Sequence, residues 1–364
     1  MNVIVIGAGV VGCAVAHELA ARGAGVRLLD MRDVGQGATR ASAGVLCPHI
    51  EGHAAPLLAL GTRSLDLYDE FIAHVSHDAH RQIEYRRSGT LEVALTDEDA
   101  ARLRDVAARH ARGGVEHRYV DAPGVLELEP GLSSHVRGGL FVPAHGYVGV
   151  QVLTDALAAA AVNRGARLDA AARVRGIAAS ARSVRVETAD GPIEADAAVV
   201  AAGSWSGTIT IGPAPAPVRP IRGQLLHLRA PAALASRVIW GADCYLVPWQ
   251  DGSLLVGATA EDVGFDEGAT VAGVRDLLEY ACDLLPSAWT ARFDAVRVGL
   301  RPATPDEMPI IGASTGTPRV FYATGHYRNG VLLAPITARL IGDLVLDGRD
   351  APELALTRPA RFGL

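Results

Sequence analysis

The first thirty residues constrain this chain most. An apolar run, Asn2 to Ile6, is followed by Gly7, Gly9 and Gly12 in GxGxxG spacing, then by Val11, Val15 and Leu19 at helical spacing. Gly23 and Gly25 end that helix, and a second apolar run, residues 26–29, closes on Asp30. Strand, glycine turn, helix and strand in this order predict a βαβ unit. The first glycine permits the tight turn, the second lets a pyrophosphate approach the backbone, and the third lets helix and strand pack closely. The phosphates then sit at the positive helix end, and an acid at position 30 accepts the ribose hydroxyls. Gly7, Gly9, Val10, Val11, Gly12 and Asp30 are therefore candidate dinucleotide contacts. By itself the fingerprint fits NAD and FAD equally.

Length and composition narrow the rest. A chain of 364 residues predicts two to three domains or one large α/β unit. All 34 basic residues are arginine, which excludes a lysine Schiff base and a P-loop lysine. The net charge is −6 with the arginines scattered, so a nucleic-acid surface or polybasic membrane anchor is not expected and the partner is a small molecule. Cys13, Cys47, Cys244 and Cys282 form no CxxC pair, which predicts neither a zinc cluster nor a disulfide framework and suits a reducing cytoplasm. Residues 3–16 are apolar enough for a signal-peptide core, yet they lack a basic start and run into His17 and Glu18. Nowhere do 18 apolar residues run together, so no spanning helix is expected.

Further along, residues 51–112 read as mostly helical, 115–150 as short segments broken by Gly and Pro, and 152–164 as a helix. A β-ribbon over 173–195, turning at Asp190-Gly191, feeds a buried strand, 197–202, that ends in Gly203. Four prolines among residues 212–220 predict a stiff connector. Runs at 223–228, 244–248 and 253–257 predict an antiparallel sheet, and 271–285 a helix. The tail predicts a strand at 320–323, a glycine loop, and a helix with Pro335 in its first turn.

An NAD site is normally completed within one consecutive domain. Here Ala201-Ala202-Gly203 and the loop 324–330 both suit close backbone approach, and the longer FAD needs such distant pieces. The helix after Gly330 would present its positive end to an anionic reduced flavin. Three other patterns carry less. Gly312 to Gly316 matches GxSxG, but Pro318 and a strand follow where a nucleophile elbow needs a helix. His74, His77 and His80 share a spacing of three without placed carboxylate or Cys partners, so a solvated helix face is expected. Trp205, Trp240, Trp249 and Trp289 share no period and read as core or pocket lining.

Together with the βαβ opening, four blocks resemble the D-amino-acid-oxidase-like flavoproteins. They are Arg40-Ala41-Ser42-Ala43-Gly44, Val199 to Ser206, Gly299-Leu300-Arg301-Pro302 to Asp306, and Gly325-His326-Tyr327-Arg328-Asn329-Gly330 to Pro335. The resemblance spans nearly the whole chain, and the last two blocks are the specific ones. It implies an α/β fold with a Rossmann-type FAD-binding domain split in sequence (1–80, 145–215, 300–364) and an α+β substrate domain on an antiparallel sheet (81–144, 216–299).

It also implies noncovalent FAD and oxidation of a small amino acid, glycine first, with sarcosine and small D-amino acids as alternatives. O2 is the implied acceptor and peroxide the product, with a dehydrogenase that passes electrons elsewhere as the alternative. The imine formed would enter thiazole synthesis for thiamine or hydrolyse to glyoxylate and ammonia. A homo-oligomer, a tetramer by analogy, is implied too. An NAD-dependent dehydrogenase, or a nucleotide-binding regulator without turnover, would stand on the βαβ unit alone.

Carried over by position, Arg301 and Arg328 would bind the substrate carboxylate and the Tyr245 hydroxyl would reach it. A planar guanidinium can hold a carboxylate bidentately. The FAD contacts would fall on Gly7, Gly9, Val10, Val11 and Gly12; on Asp30 and Met31; on Thr39, Arg40, Ser42, Ala43, Gly44 and Val45; on Val174; on Ala202, Gly203 and Trp205; and on His326, Tyr327, Arg328, Asn329, Gly330, Val331 and Leu332. Many relatives carry glutamate where Asp30 stands. Sarcosine oxidases, a sister group, use a cysteine-linked flavin and a lysine, and neither has a counterpart here. His49 and His326 are the candidate substitutes for that positive charge, against the ordinary expectation of a structural histidine.

Overall fold

The computed structural model describes residues 1–50, 55–212 and 215–364. Its first sheet has six strands, in the order Ile310–Ala313, Val320–Thr324, Ala197–Val200, Asn2–Ile6, Gly25–Leu29 and Arg167–Asp169. All neighbours pair parallel except the antiparallel edge strand Ile310–Ala313. Strands buried on both faces read as continuous apolar runs, and Asn2–Ile6 is one. Its Val3 and Val5 face the helices Val10–Ala21, Val150–Asn163 and Ala334–Asp347, while Ile4 and Ile6 face a four-stranded sheet built on the ribbon 174–195. The sheet thus collects strands from the two ends and the middle of the chain.

The ribbon forms as the sequence predicts, with its turn one residue earlier. Thr188 pairs with Gly191, so Ala189-Asp190 is the loop. Gly191 opens the returning strand at φ +113, a left-handed value that favours glycine.

The second sheet has eight strands, in the order Arg292–Ala303, Arg219–Arg229, Ser253–Gly257, Tyr245–Pro248, Val238–Trp240, Thr90–Ala94, Gly138–Val142 and Arg118–Asp121. One face packs on the helices Val271–Leu284 and Ala122–Leu128. The other turns Leu225, Val238, Val247 and Leu255 toward Ala43 and Tyr147.

Three expectations change. Residues 51–54 of the region read as helical lie outside the described residues, and its remainder is broken by the strand Thr90–Ala94, which is buried within the large sheet. Of the proline connector, Pro213 and Ala214 lie outside the described residues, and Arg219-Pro220 already belongs to a strand. Pro220 is tolerated because it lies beyond the last paired residue of the strand on its other side, where no ladder N–H is needed. The strand Arg292–Ala303, which the sequence reading did not anticipate, pairs with Arg219–Arg229 from Ala303 to Arg292. Among the described residues no helix is long and apolar enough to cross a membrane.

Candidate active site

A cavity of about 380 Å³ opens where the two sheets meet. At one end lies the glycine loop. Gly7 has φ +109, and a Cβ there would stand 2.3 Å from the Ala201 carbonyl oxygen. Gly9 is the N-cap of the helix Val10–Ala21 and, having no side chain, leaves that end open to the cavity. The positive end of the helix faces the cavity through Gly9, Val10 and Val11, as a phosphate cradle requires. The Val10 N–H donates to the Thr39 hydroxyl at 3.1 Å, which ties the helix start to the segment 38–45. Asp30 accepts from the Ala8 and Arg32 N–H groups at 2.6 and 2.8 Å. Burial pushes its carboxyl pKa up, and those backbone N–H groups pull the other way.

Most other proposed cofactor residues line the same cavity: Met31, Thr39 and 42–45 on one side, Val174, Ala202, Gly203 and Trp205 on another, and 326–332 along the inner wall. The inner wall is fixed from outside. Tyr68 and Ser64 donate their hydroxyls to the carbonyls of Val331 and Leu332 at 2.5 and 2.6 Å, and the Tyr327 N–H donates to the Pro302 carbonyl at 2.9 Å. Tyr327 has φ +48, a strained value for a non-glycine residue and a common mark of a binding loop. Gly12 and Arg40 do not line the cavity. A Cβ on Gly12 would lie 1.8 Å from the Gly7 carbonyl oxygen, so this glycine serves helix–strand packing, and Arg40 is exposed and donates to Gln36.

At the other end stand Arg301, Arg328 and Tyr245. Two glycines seat the first and last. A Cβ on Gly223 would lie 2.4 Å from Arg301 Cζ, and one on Gly257 would lie 2.2 Å from Tyr245 Cζ. Each side chain therefore lies flat across the neighbouring strand, where any other residue would lift it. Arg301 Nη1 donates to the Thr259 carbonyl at 2.7 Å. The Tyr245 ring packs on Trp240 with centroids 4.8 Å apart, and the Arg328 guanidinium lies over the Tyr327 ring at 5.1 Å. Trp240, read from the sequence as core or pocket lining, lines the cavity, and so do Gly223, Gly257 and Arg32, which were not singled out from the sequence. A glycine inside a strand signals close approach, so for the two glycines that signal was present.

Neither histidine offered as a positive charge supplies one. His326 lines the cavity, but burial pushes its pKa down to about 3, and its Nε2 bonds the Thr337 hydroxyl at 3.0 Å. His49 lies outside the cavity lining, stacked on His145 at 5.1 Å, and burial lowers its pKa. Gly312 and Ala313 end the strand Ile310–Ala313, and the chain turns from Ser314 on, where Ser314 Oγ accepts from the Thr317 N–H at 3.0 Å.

A Rossmann-type sheet and a largely antiparallel sheet, in which only Val238–Trp240 and Thr90–Ala94 pair parallel, close one cavity, the architecture of a dinucleotide-binding protein. The family model described as FAD dependent oxidoreductase matches residues 2–344, and the chain belongs to that family. Its cofactor is FAD. The chain is 36% identical over 360 residues to the bifunctional protein ThiO/ThiG of Nostoc sp., covering 97% of itself and 54% of that protein. It thus spans about half the length of the first curated relatives it matches. It is 32% identical to the glycine oxidase of Geobacillus kaustophilus, covering 97% of itself and 95% of that protein. The crystal structure of that glycine oxidase superposes with a TM-score of 0.93 over 98% of this chain and 97% of the other. The iminodiacetate oxidase of Chelativorans sp. superposes with a TM-score of 0.88 at 28% identity, over 98% of each chain.

Proposed function

We propose that this protein oxidises the carbon–nitrogen bond of a small amino acid, glycine first, with dioxygen as acceptor, forming the imine and hydrogen peroxide. One observation carries the reading: Arg301 and Tyr245, each seated over a strand glycine, face the cavity that the dinucleotide fingerprint also lines. Full-length similarity to a glycine oxidase supports it. Bound FAD supplies the two-electron acceptor for the substrate and the route of those electrons to oxygen.

The chain's own residues bind and orient. Arg301 holds the carboxylate by two charge-assisted hydrogen bonds, each contributing about 1.5–3 kcal/mol. The Tyr245 hydroxyl and Arg328 complete the grip. A carboxylate fixed at that end leaves the amine and the Cα–H turned into the cavity, and positioning then does much of the work. On this reading 1–80, 145–215 and 300–364 form the cofactor half and 81–144 and 216–299 the substrate half.

The product imine feeds the thiazole of thiamine, as the ThiO/ThiG relative suggests, or hydrolyses to glyoxylate and ammonia. We place the protein in the cytoplasm as a homo-oligomer. That no disulfide joins the described cysteines supports the first half of that statement. Likeness to an iminodiacetate oxidase favours a second reading, a secondary amine such as sarcosine as substrate. Anaerobic bleaching of the flavin by glycine, sarcosine, D-alanine and D-proline in turn, followed by peroxide release in air, tests both. Bleaching by none of them overturns the substrate class, and bleaching without peroxide makes the protein a dehydrogenase.

A further inference from the structure

Residues 259–270 join the strand Ser253–Gly257 to the helix Val271–Leu284 and run along the outside of the cavity. They begin at the substrate end, where the Thr259 carbonyl accepts from Arg301. Their middle is clamped to the strand Arg219–Arg229. Arg222, only 4% exposed, donates to Glu261 at 2.5 Å, to Asp266 at 2.6 Å and to the Gly268 carbonyl at 3.0 Å. Arg222 and Glu261 also exchange backbone hydrogen bonds at 2.8 and 2.9 Å.

Their far end reaches across to the cofactor half of the cavity. Glu267 accepts both Nη groups of Arg32 at 2.9 and 2.8 Å, although the residues lie 235 apart in sequence. Arg32 lies two residues past Asp30, lines the cavity and stacks over the Trp205 ring at 4.4 Å. Phe265 packs against that same ring with centroids 5.7 Å apart, and it is 48% exposed.

We propose that residues 259–270 are a strap that retains FAD: Glu267 and Phe265 hold Arg32 and Trp205 as the outer wall of the site beside Asp30. The latch belongs to FAD retention whatever the amino-acid substrate is, so it can be tested without one. The Arg32 and Glu267 side chains are 32% and 29% exposed, so salt screens their pairing.

The test uses the FAD-loaded protein, diluted at low, physiological and high salt, with release followed by the recovery of flavin fluorescence. Glu267→Gln keeps the shape and removes the charge. Release is expected to speed up about fivefold at low salt, equivalent to ~1 kcal/mol, and to lose part of the salt dependence the parent shows. Phe265→Ala, which changes no charge, is expected to speed release while keeping that salt dependence. Release at the parent's rate in both variants overturns the proposal, and so does an unaltered salt slope in Glu267→Gln.

Discussion

At the scale of the residue, the two strand glycines are the most telling contacts of the site. A methyl at position 223 would occupy the place where the Arg301 guanidinium lies, and this planar group would swing off its carbonyl anchor. Gly223→Ala is therefore expected to fold and bind FAD while losing grip on the substrate carboxylate. Arg301→Ala should do the same more completely. Removing both charge-assisted bonds weakens binding on the order of 100-fold, equivalent to ~3 kcal/mol. The measurement is KM for the amino acid against flavin content per chain. Unchanged KM in Arg301→Ala would remove that residue from the site, whereas lost flavin would mean the damage lies in the fold.

At the scale of the element, the first helix separates two kinds of glycine that look alike in sequence. A Cβ at Gly9 meets only the Thr39 hydroxyl, at 3.2 Å, whereas one at Gly12 meets backbone at 1.8 Å. Gly9→Val should give a stable but colourless protein, with flavin content below about a tenth of the parent's. Gly12→Val should instead destabilise the fold by about 3 kcal/mol or more, because overpacked backbone has nowhere to go. Flavin absorbance and urea unfolding of the two proteins separate these outcomes.

The same contrast marks how far the site was legible. The βαβ unit was read correctly because its glycine spacing is a local pattern; the strand predicted over 197–202 forms but ends at Val200, and the loop predicted over 324–330 opens after Thr324. The strand Arg292–Ala303 was missed because its partner lies some seventy residues back and Arg, Asp, Gly and Pro interrupt its apolar alternation. The seats of Arg301 and Tyr245 depend on cross-strand neighbours that no local window contains, and Arg32 owes its place to a partner 235 residues away. Arg40 was read as a contact from its block, although its side chain points to Gln36.

A third element-scale consequence concerns Asp78, at the end of the helix Tyr68–Ala79. Its side chain is 7% exposed, and it accepts from Arg164 at 2.9 and 2.6 Å and pairs with His17 at 2.7 Å, joining three helices. The Arg164 bonds first, and His17 after them, hold its pKa down to about 2. A depressed carboxylate stabilises the fold above its unfolded pKa near 4, and the contribution is lost as pH falls through about 2. Asp78→Ala should thus cost about 2 kcal/mol at neutral pH, with the gap to the parent closing below about pH 4. Chemical unfolding of both proteins across that range measures it. A gap that is pH-independent would place the cost in packing.

At the scale of the whole molecule, buried neutral histidines should set the acid limit. His326 has its pKa pushed down to about 3 by burial, and His145, also fully buried, is shifted in the same direction with its Nδ1 lacking a hydrogen-bond partner. In the unfolded chain each takes up a proton near pH 6.5, whereas in the folded protein each stays neutral until far lower pH. The unfolded state therefore binds more protons between those values, and folding stability falls as pH drops below about 6.5. The slope is ~1.4 kcal/mol per pH unit for each histidine while its folded form remains unprotonated. The urea midpoint of the FAD-loaded protein should decline steadily from about pH 6.5 downward, well above the window in which Asp78 acts. His145→Gln, remote from the cavity lining and still able to bond His49, should flatten the decline by about one such increment. A variant that declines as steeply as its parent would locate the acid sensitivity in other groups, with the low histidine pKa values no longer coupled to folding.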